Sequence, residues 1–143
     1  MRIYTIGFTK SSAKDFFQRL RLSGTKKIID TRLNNSSQLS GFAKGLDLKY
    51  FSKEICNIDY KHNLDFAPTK EILNSYRKKE IDWSSYEDKF NQLIASREIE
   101  LTNKTDIADS CLLCSEDKPH NCHRRLVAEY LNKRWGNIEI IHL

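Results

Sequence analysis

The stretch "RIYTIGFTKSSAKDFFQRLRLSGTKKIID", residues 2–30, decides the fold. Its opening "RIYTI" is rich in β-branched residues and stops at Gly7, which is the pattern of a strand. Ser12, with Asp15 three residues on, has the form of a capping box. Ala13, Phe16, Phe17 and Leu20 then recur at helical spacing until Gly24 ends the helix. "KKIID", residues 26–30, is a second strand. The distance between the strands suits a strand-helix-strand crossover, which joins parallel strands and is almost always right-handed.

The rest of the chain repeats this alternation. "TRLNNSSQLSGFAKG", residues 31–45, is polar and turn-rich, and a loop of that length in a small domain goes with function or mobility. A short helix is predicted over 46–55 and a short strand over "IDYKH", 58–62. Pro68 opens a helical stretch with Ile72, Leu73 and Tyr76 on one face. A further helix carries Tyr86, Phe90, Leu93 and Ile94. "SCLLCS", 110–115, is an apolar run between polar flanks and reads as a buried strand. A helix follows over 122–135, stopped by Gly136, and "IEIIHL" is a last strand. The pattern predicts one α/β domain over residues 1–143, in three layers, with a mostly parallel sheet flanked by helices. Ligands of such sheets bind outside the carboxyl ends of the strands. That rule selects the loops after Ile6, Asp30 and Ser115. Strand order is not readable from the pattern.

The chain of 143 residues is 39% hydrophobic and 30% charged, a balance that suits a globular domain with its own core. Its apolar runs are too short to span a bilayer, so no membrane association is expected. "MRIYTIGF" lacks the apolar core of a signal peptide, which predicts a cytoplasmic protein with reduced cysteines. The formal net charge of +5 favours anionic partners, a small anion or nucleic acid.

Three of the four cysteines and two of the four histidines crowd into "CLLCSEDKPHNCHRR", residues 111–125. Leu126, Val127, Tyr130 and Leu131 define the apolar stripe of the helix there. At about 100° per residue His123 falls on that stripe, Arg125 faces solvent, and Arg124 sits between them at the rim. The helix start suits an anion, with Asn121 as the expected N-cap. Alternation along "CLLC" puts Cys114 and Glu116 on one side. Cys114, Glu116, Cys122 and His123 can therefore converge. A cysteine beside a histidine, an arginine and a helix start has more thiolate, and a nearby Glu can serve as acid or base. Cys111 and Cys56 read as core residues. Four zinc ligands are also conceivable, from Cys111, Cys114, Cys122 and His123, with His120 in place of His123 as a variant. A strand would splay the "CLLC" sulfurs to opposite faces, however, and adjacent helical residues diverge, so no metal ligands are assigned. Asp30 and Arg32, in "DTR", end the second strand and suit an anionic ligand. "GFTKSS" offers backbone amides but neither the dinucleotide nor the Walker pattern.

Taken in order, "YTIGFT", "IIDTRLNNSSQ" and "LLCSEDKPHNCHRRLVAEYL" resemble the segments of the domain-of-unknown-function family 488. The resemblance implies a compact intracellular α/β domain with Asp30, Arg32, Cys114, Glu116, Cys122, His123 and Arg124 in its signature. It implies no known reaction. The chain departs from many members in having Phe8 where they carry histidine, and Asn34 and Asn35 where they carry proline. The leading expectation is a small enzyme, or a relic of one, without a cofactor, acting on an anionic substrate such as a nucleotide or nucleic acid. Cys114, Glu116 and His123 would carry the chemistry, and Asp30, Arg32, Cys122 and Arg124 would bind substrate. The alternatives are a non-enzymatic nucleic-acid-binding module, using Tyr50, Phe51, Tyr60 and Trp83 among lysines, and a protein with a structural zinc site.

Overall fold

The computed structural model describes residues 1–36 and 40–143. Five strands form one sheet: β1 (Arg2–Gly7), β2 (Lys27–Asp30), β3 (Asp59–His62), β4 (Ser110–Cys114) and β5 (Glu139–His142). The helices among the described residues are α1 (Ala13–Ser23), α2 (Gly45–Cys56), α3 (Lys70–Arg77), α4 (Trp83–Ser96), α5 (Lys104–Ile107) and α6 (His123–Trp135). The sequence thus places every strand and helix but the four-residue α5. The expected loop over 31–45 contains a single turn of 3₁₀ helix at Gly41–Ala43, and its residues 37–39 lie outside the described residues.

The elements begin and end where the local chemistry directs. Ser12 Oγ accepts the Asp15 amide at 3.1 Å, and Gly24 closes α1 at φ 78°, a left-handed conformation that costs glycine little. Thr69 caps α3 and Asp82 caps α4 through their side-chain oxygens. At α6 the expected cap is corrected: Cys122, not Asn121, is the N-cap, with extended backbone at φ −141° and ψ 136° and no side-chain capping bond.

All four strand pairings are parallel, in the order β3-β2-β4-β1-β5. The fourth strand in the chain, β4, therefore fills the centre between β1 and β2. This explains why "SCLLC" is a continuous buried run rather than an alternating one. The helices cover both faces. Ile3, Ile29 and Leu112 meet Phe90 and Ile94 of α4 and Leu126 and Leu131 of α6. Tyr4, Ile6, Ile28 and Leu113 meet Phe16 and Leu20 of α1 and Leu48 of α2 on the other face. From β1 and β2 the chain leaves for the α1 and α2 face, while from β4, which lies between them, it leaves for the α6 face. A crevice opens where adjacent strands part in this way, at their carboxyl ends. No described helix is long and apolar enough to cross a membrane.

Candidate functional site

The crevice is a cleft of about 610 Å³. The buried Cys114 and His123 form its floor, and its walls include Arg32 and Phe8 together with Lys70, Tyr76, Arg77, Trp83 and Tyr86 from α3 and α4. The clusters predicted after β2 and after β4 thus share one cavity.

Cys114 ends β4, and strand parity turns it, like Leu112, toward α6. There it meets the first residue of that helix. Cys114 Sγ lies 3.7 Å from His123 Nδ1. The other ring nitrogen is committed, because His123 Nε2 lies 2.7 Å from the Thr31 carbonyl and 3.0 Å from Thr31 Oγ1. A carbonyl can only accept, so the Nε2 proton is held there. The Thr31 hydroxyl donates in turn to Leu113 O at 2.8 Å. This fixes the tautomer and leaves Nδ1 facing the sulfur. Phe90 packs against the ring, with centroids 5.4 Å apart. The Cys114 thiol is held well below its ordinary pKa, first by a hydrogen bond from the Cys122 thiol and then, against the cost of burial, by the His123 charge and Arg124. Burial opposes a charged His123, yet the charge and hydrogen bond of Cys114 outweigh it and raise the imidazole. Both shifts favour the charged forms, the thiolate and the imidazolium.

Cys122 joins this pair because it precedes the helix. The divergence expected of adjacent helical residues does not apply to an extended N-cap. Its Sγ, Cys114 Sγ and a His123 ring nitrogen all lie within 4.8 Å of one another, and all three residues are buried. This trio could hold a soft metal ion. Cys111 cannot join it, since it faces the α1 side of the sheet, where burial pushes its thiol pKa up. The four-ligand set read from the sequence is therefore corrected to three, and His120, exposed on the loop, is not among them.

Arg124 is a second correction. Expected at the rim, it is 1% exposed. Its Nη1 donates to Glu116 O at 2.5 Å and to Cys122 Sγ at 3.4 Å, and Nη2 to Asp117 O at 3.4 Å, while Nε has no partner among the described residues. It clamps the loop that returns from β4 to α6. The loop passes so close to β1 that a Cβ on Gly7 would lie 1.5 Å from Glu116 O. Arg125 is not simply solvated either. It pairs with Glu129 at 3.0 Å and Glu87 at 3.5 Å, tying α6 to α4.

Asp30 and Arg32 form a buried two-pronged pair, Nε to Oδ1 at 2.9 Å and Nη2 to Oδ2 at 2.7 Å. Nη2 also donates to Ala43 O, Tyr60 Oη donates to Asp30 Oδ2 at 2.6 Å, and the guanidinium lies 5.0 Å from the Phe8 ring centre. Burial lowers the Arg32 pKa, but Asp30 more than compensates and holds it raised. Asp30 is fully buried, so it orients Arg32 rather than facing the cleft. Among the described residues no hydrogen bond uses Arg32 Nη1. Glu116 is exposed and lines the cleft mouth. Since β4 stops at Cys114, strand alternation does not carry Glu116 down to the floor beside the sulfur.

Two parts of the site escaped the sequence reading. Thr31 sits inside "DTR" but drew no attention, because a bond to a residue 92 positions away leaves no local trace. Tyr76 and Tyr86 of the α3 and α4 wall read as core periodicity, and Trp83 entered only as an aromatic of the nucleic-acid-binding alternative. Trp83 and Tyr86 do stack, with centroids 5.1 Å apart, and Tyr76 leans on Tyr86 at 5.0 Å, but the same three rings line the cleft.

Fold and site define a parallel α/β domain with a thiol, an imidazole and guanidinium groups gathered at the carboxyl edge of its sheet. The chain belongs to the family described as Domain of unknown function DUF488, whose model matches residues 12–131. That span contains the Asp30–Arg32 and Cys114–Arg124 segments; the opening glycine turn and the last strand lie outside it. Comparison with curated proteins and with solved structures gave no match.

Proposed function

We propose that the protein is a thiol enzyme acting on an anionic substrate with a planar group, of the nucleotide class. The observation that carries this reading is His123, locked by Thr31 at Nε2 with Nδ1 turned to the Cys114 sulfur at the floor of a cleft. A nucleophile, a base and a group that orients the base form the arrangement that activates a thiol. Cys114 attacks the substrate. His123 keeps the thiol proton at Nδ1 and returns it to the leaving group. Arg32, Lys70 and Arg77 draw the anion in, and Tyr76 and Trp83 offer faces to a planar ring. Glu116 at the mouth exchanges protons with what enters. Arg124 adds positive charge from behind Cys122.

The test joins both halves of the reading. Reduced protein is treated with iodoacetamide at neutral pH, with and without adenosine 5′-monophosphate, and the labelled cysteine is mapped by mass spectrometry. Cys114 should label ahead of Cys56 and Cys111, and the nucleotide should slow it. Preferential labelling of Cys56 would remove the thiol role. Labelling of Cys114 that ignores the nucleotide would remove the substrate class.

A second reading is favoured by the same three atoms. Two sulfurs and a nitrogen within 4.8 Å suit zinc with a fourth position open to the cleft. Stoichiometric zinc in protein purified without chelator, lost together with stability in Cys122→Ser, would establish this reading over the free thiol. A metal-free purified protein would exclude it.

A further inference from the structure

We propose that Cys114 and Cys122 form a redox couple, with Cys114 as the attacking thiol and Cys122 as the thiol that resolves its adduct, so that the cleft carries out thiol-disulfide exchange with small organic disulfides. This rests on the reading of Cys114 as the nucleophile and adds a reaction class to it.

The geometry has three parts. The two sulfurs lie within 4.8 Å of each other, and rotation about the side-chain bonds of Cys122 closes the remaining gap. Cys122 is an extended N-cap, and no side-chain capping bond ties its sulfur to the α6 backbone. The segment between the two cysteines is pinned, since Arg124 holds the carbonyls of Glu116 and Asp117. The end of β4 and the start of α6 therefore stay face to face. Finally, Arg124 Nη1 lies 3.4 Å from Cys122 Sγ, where it stabilises a thiolate on Cys122 whenever that sulfur attacks or leaves. Cys122 is only 2% exposed. An adduct on Cys114 thus meets the second thiol before it meets one from solution.

The steps balance. The Cys114 thiolate attacks one sulfur of R–S–S–R. A Cys114–S–S–R bond forms and RS⁻ leaves, taking the proton held at His123 Nδ1. The Cys122 thiol gives its proton to the vacated Nδ1 and attacks the Cys114 sulfur. The Cys114–Cys122 disulfide forms, the second RS⁻ leaves, and it takes that proton. The protein has lost two thiol hydrogens, and one disulfide has become two thiols.

Hydroxyethyl disulfide is a suitable probe, used on the full chain with Cys56→Ser to remove the half-buried thiol. Serine is a favoured N-cap, so Cys122→Ser should keep α6 intact. The background protein should lose two hydrogens in mass, retain no hydroxyethylthio group, and yield a Cys114–Cys122 linked peptide. With Cys122→Ser added, one hydroxyethylthio group should stay on Cys114. If both proteins retain the group on Cys114, resolution by Cys122 is refuted while the nucleophile stands. If Cys114 reacts with neither the disulfide nor iodoacetamide, the underlying reading falls too. A disulfide linking Cys114 to Cys111 would also overturn the couple. Circular dichroism of Cys122→Ala, alongside Cys122→Ser, separates a folding defect from a chemical one.

Discussion

Thr31 holds the His123 ring with two acceptors, its carbonyl and its hydroxyl, and the hydroxyl is itself anchored to Leu113 O. Thr31→Val keeps the shape and removes the hydroxyl. A net hydrogen bond is worth about 1 kcal/mol, and buried groups left short cost about 1–3 kcal/mol. Thr31→Val should therefore lower the melting temperature by a few degrees and slow Cys114 alkylation at neutral pH, because the imidazole is less firmly aimed. Thr31→Ser should restore both in calorimetry and in the labelling rate. Equal labelling in Thr31→Val and the parent would show that Thr31 only fills space. His123 itself was legible, since it lies on the stripe of Leu126, Val127 and Leu131. Thr31 was not, because side-chain to backbone bonds across strands have no period.

Among the elements, the join between β4 and α6 carries most of the argument. A helical wheel put His123 on the buried stripe correctly but left Arg124 at the rim. The wheel sees only the sheet beneath the helix. The loop after β4 folds back over the first turn of α6 and buries its second side, and that loop is placed by long-range contacts with β1 and Arg124. Gly7 is the tightest of these contacts. Gly7→Ala puts a methyl 1.5 Å from Glu116 O, so the loop must move and Arg124 must lose a carbonyl. Overpacking usually costs about 1–3 kcal/mol, and a backbone obstacle belongs at or above the top of that range. Chemical denaturation should show a loss of that size, and Cys114 should become more accessible to bulky reagents. A variant as stable as the parent would mean that the loop does not pass where it is placed here. The alternation of elements was legible because each strand or helix signals its own period. Strand order was not, because β4 is inserted between β1 and β2 by a connection that runs from β3 through α3, α4 and α5.

For the whole molecule, the parting of the chain to opposite faces of the sheet brings the segments after β2 and β4 into one cleft. The net charge of +5 said only that anions are favoured. The structure distributes that charge: Arg32 is buried against Asp30, whereas Lys70 and Arg77 are exposed at the wall. Tyr50, Phe51, Tyr60 and Trp83 do not form one stripe, since Tyr50 and Phe51 lie on α2 and Trp83 on α4, across the sheet. Arg77→Ala should weaken binding of adenosine 5′-monophosphate by a modest factor, with folding stability unchanged, because an exposed charge contributes about 1 kcal/mol or less. Arg32→Met should unfold the site, because breaking a buried pair leaves the Asp30 carboxylate without its counter-charge at a cost of about 3–5 kcal/mol. Titration by tryptophan fluorescence, with thermal melts beside it, distinguishes the two. Equal loss of stability in both variants would contradict the division between anchor and wall.

A thiolate-imidazolium pair of Cys114 and His123 has a definite pH signature. A lowered Cys114 pKa means that the thiolate persists to lower pH than on a free cysteine and is lost as pH falls through that depressed value. A raised His123 pKa keeps the imidazolium charged to higher pH than a free histidine. The most direct measurement is the rate of Cys114 alkylation by iodoacetamide against pH, in the parent and in His123→Asn. The parent midpoint should lie clearly below the free-cysteine value of about 8.5, and His123→Asn should move it upward. A parent midpoint at or above that value, unmoved by His123→Asn, would contradict the account.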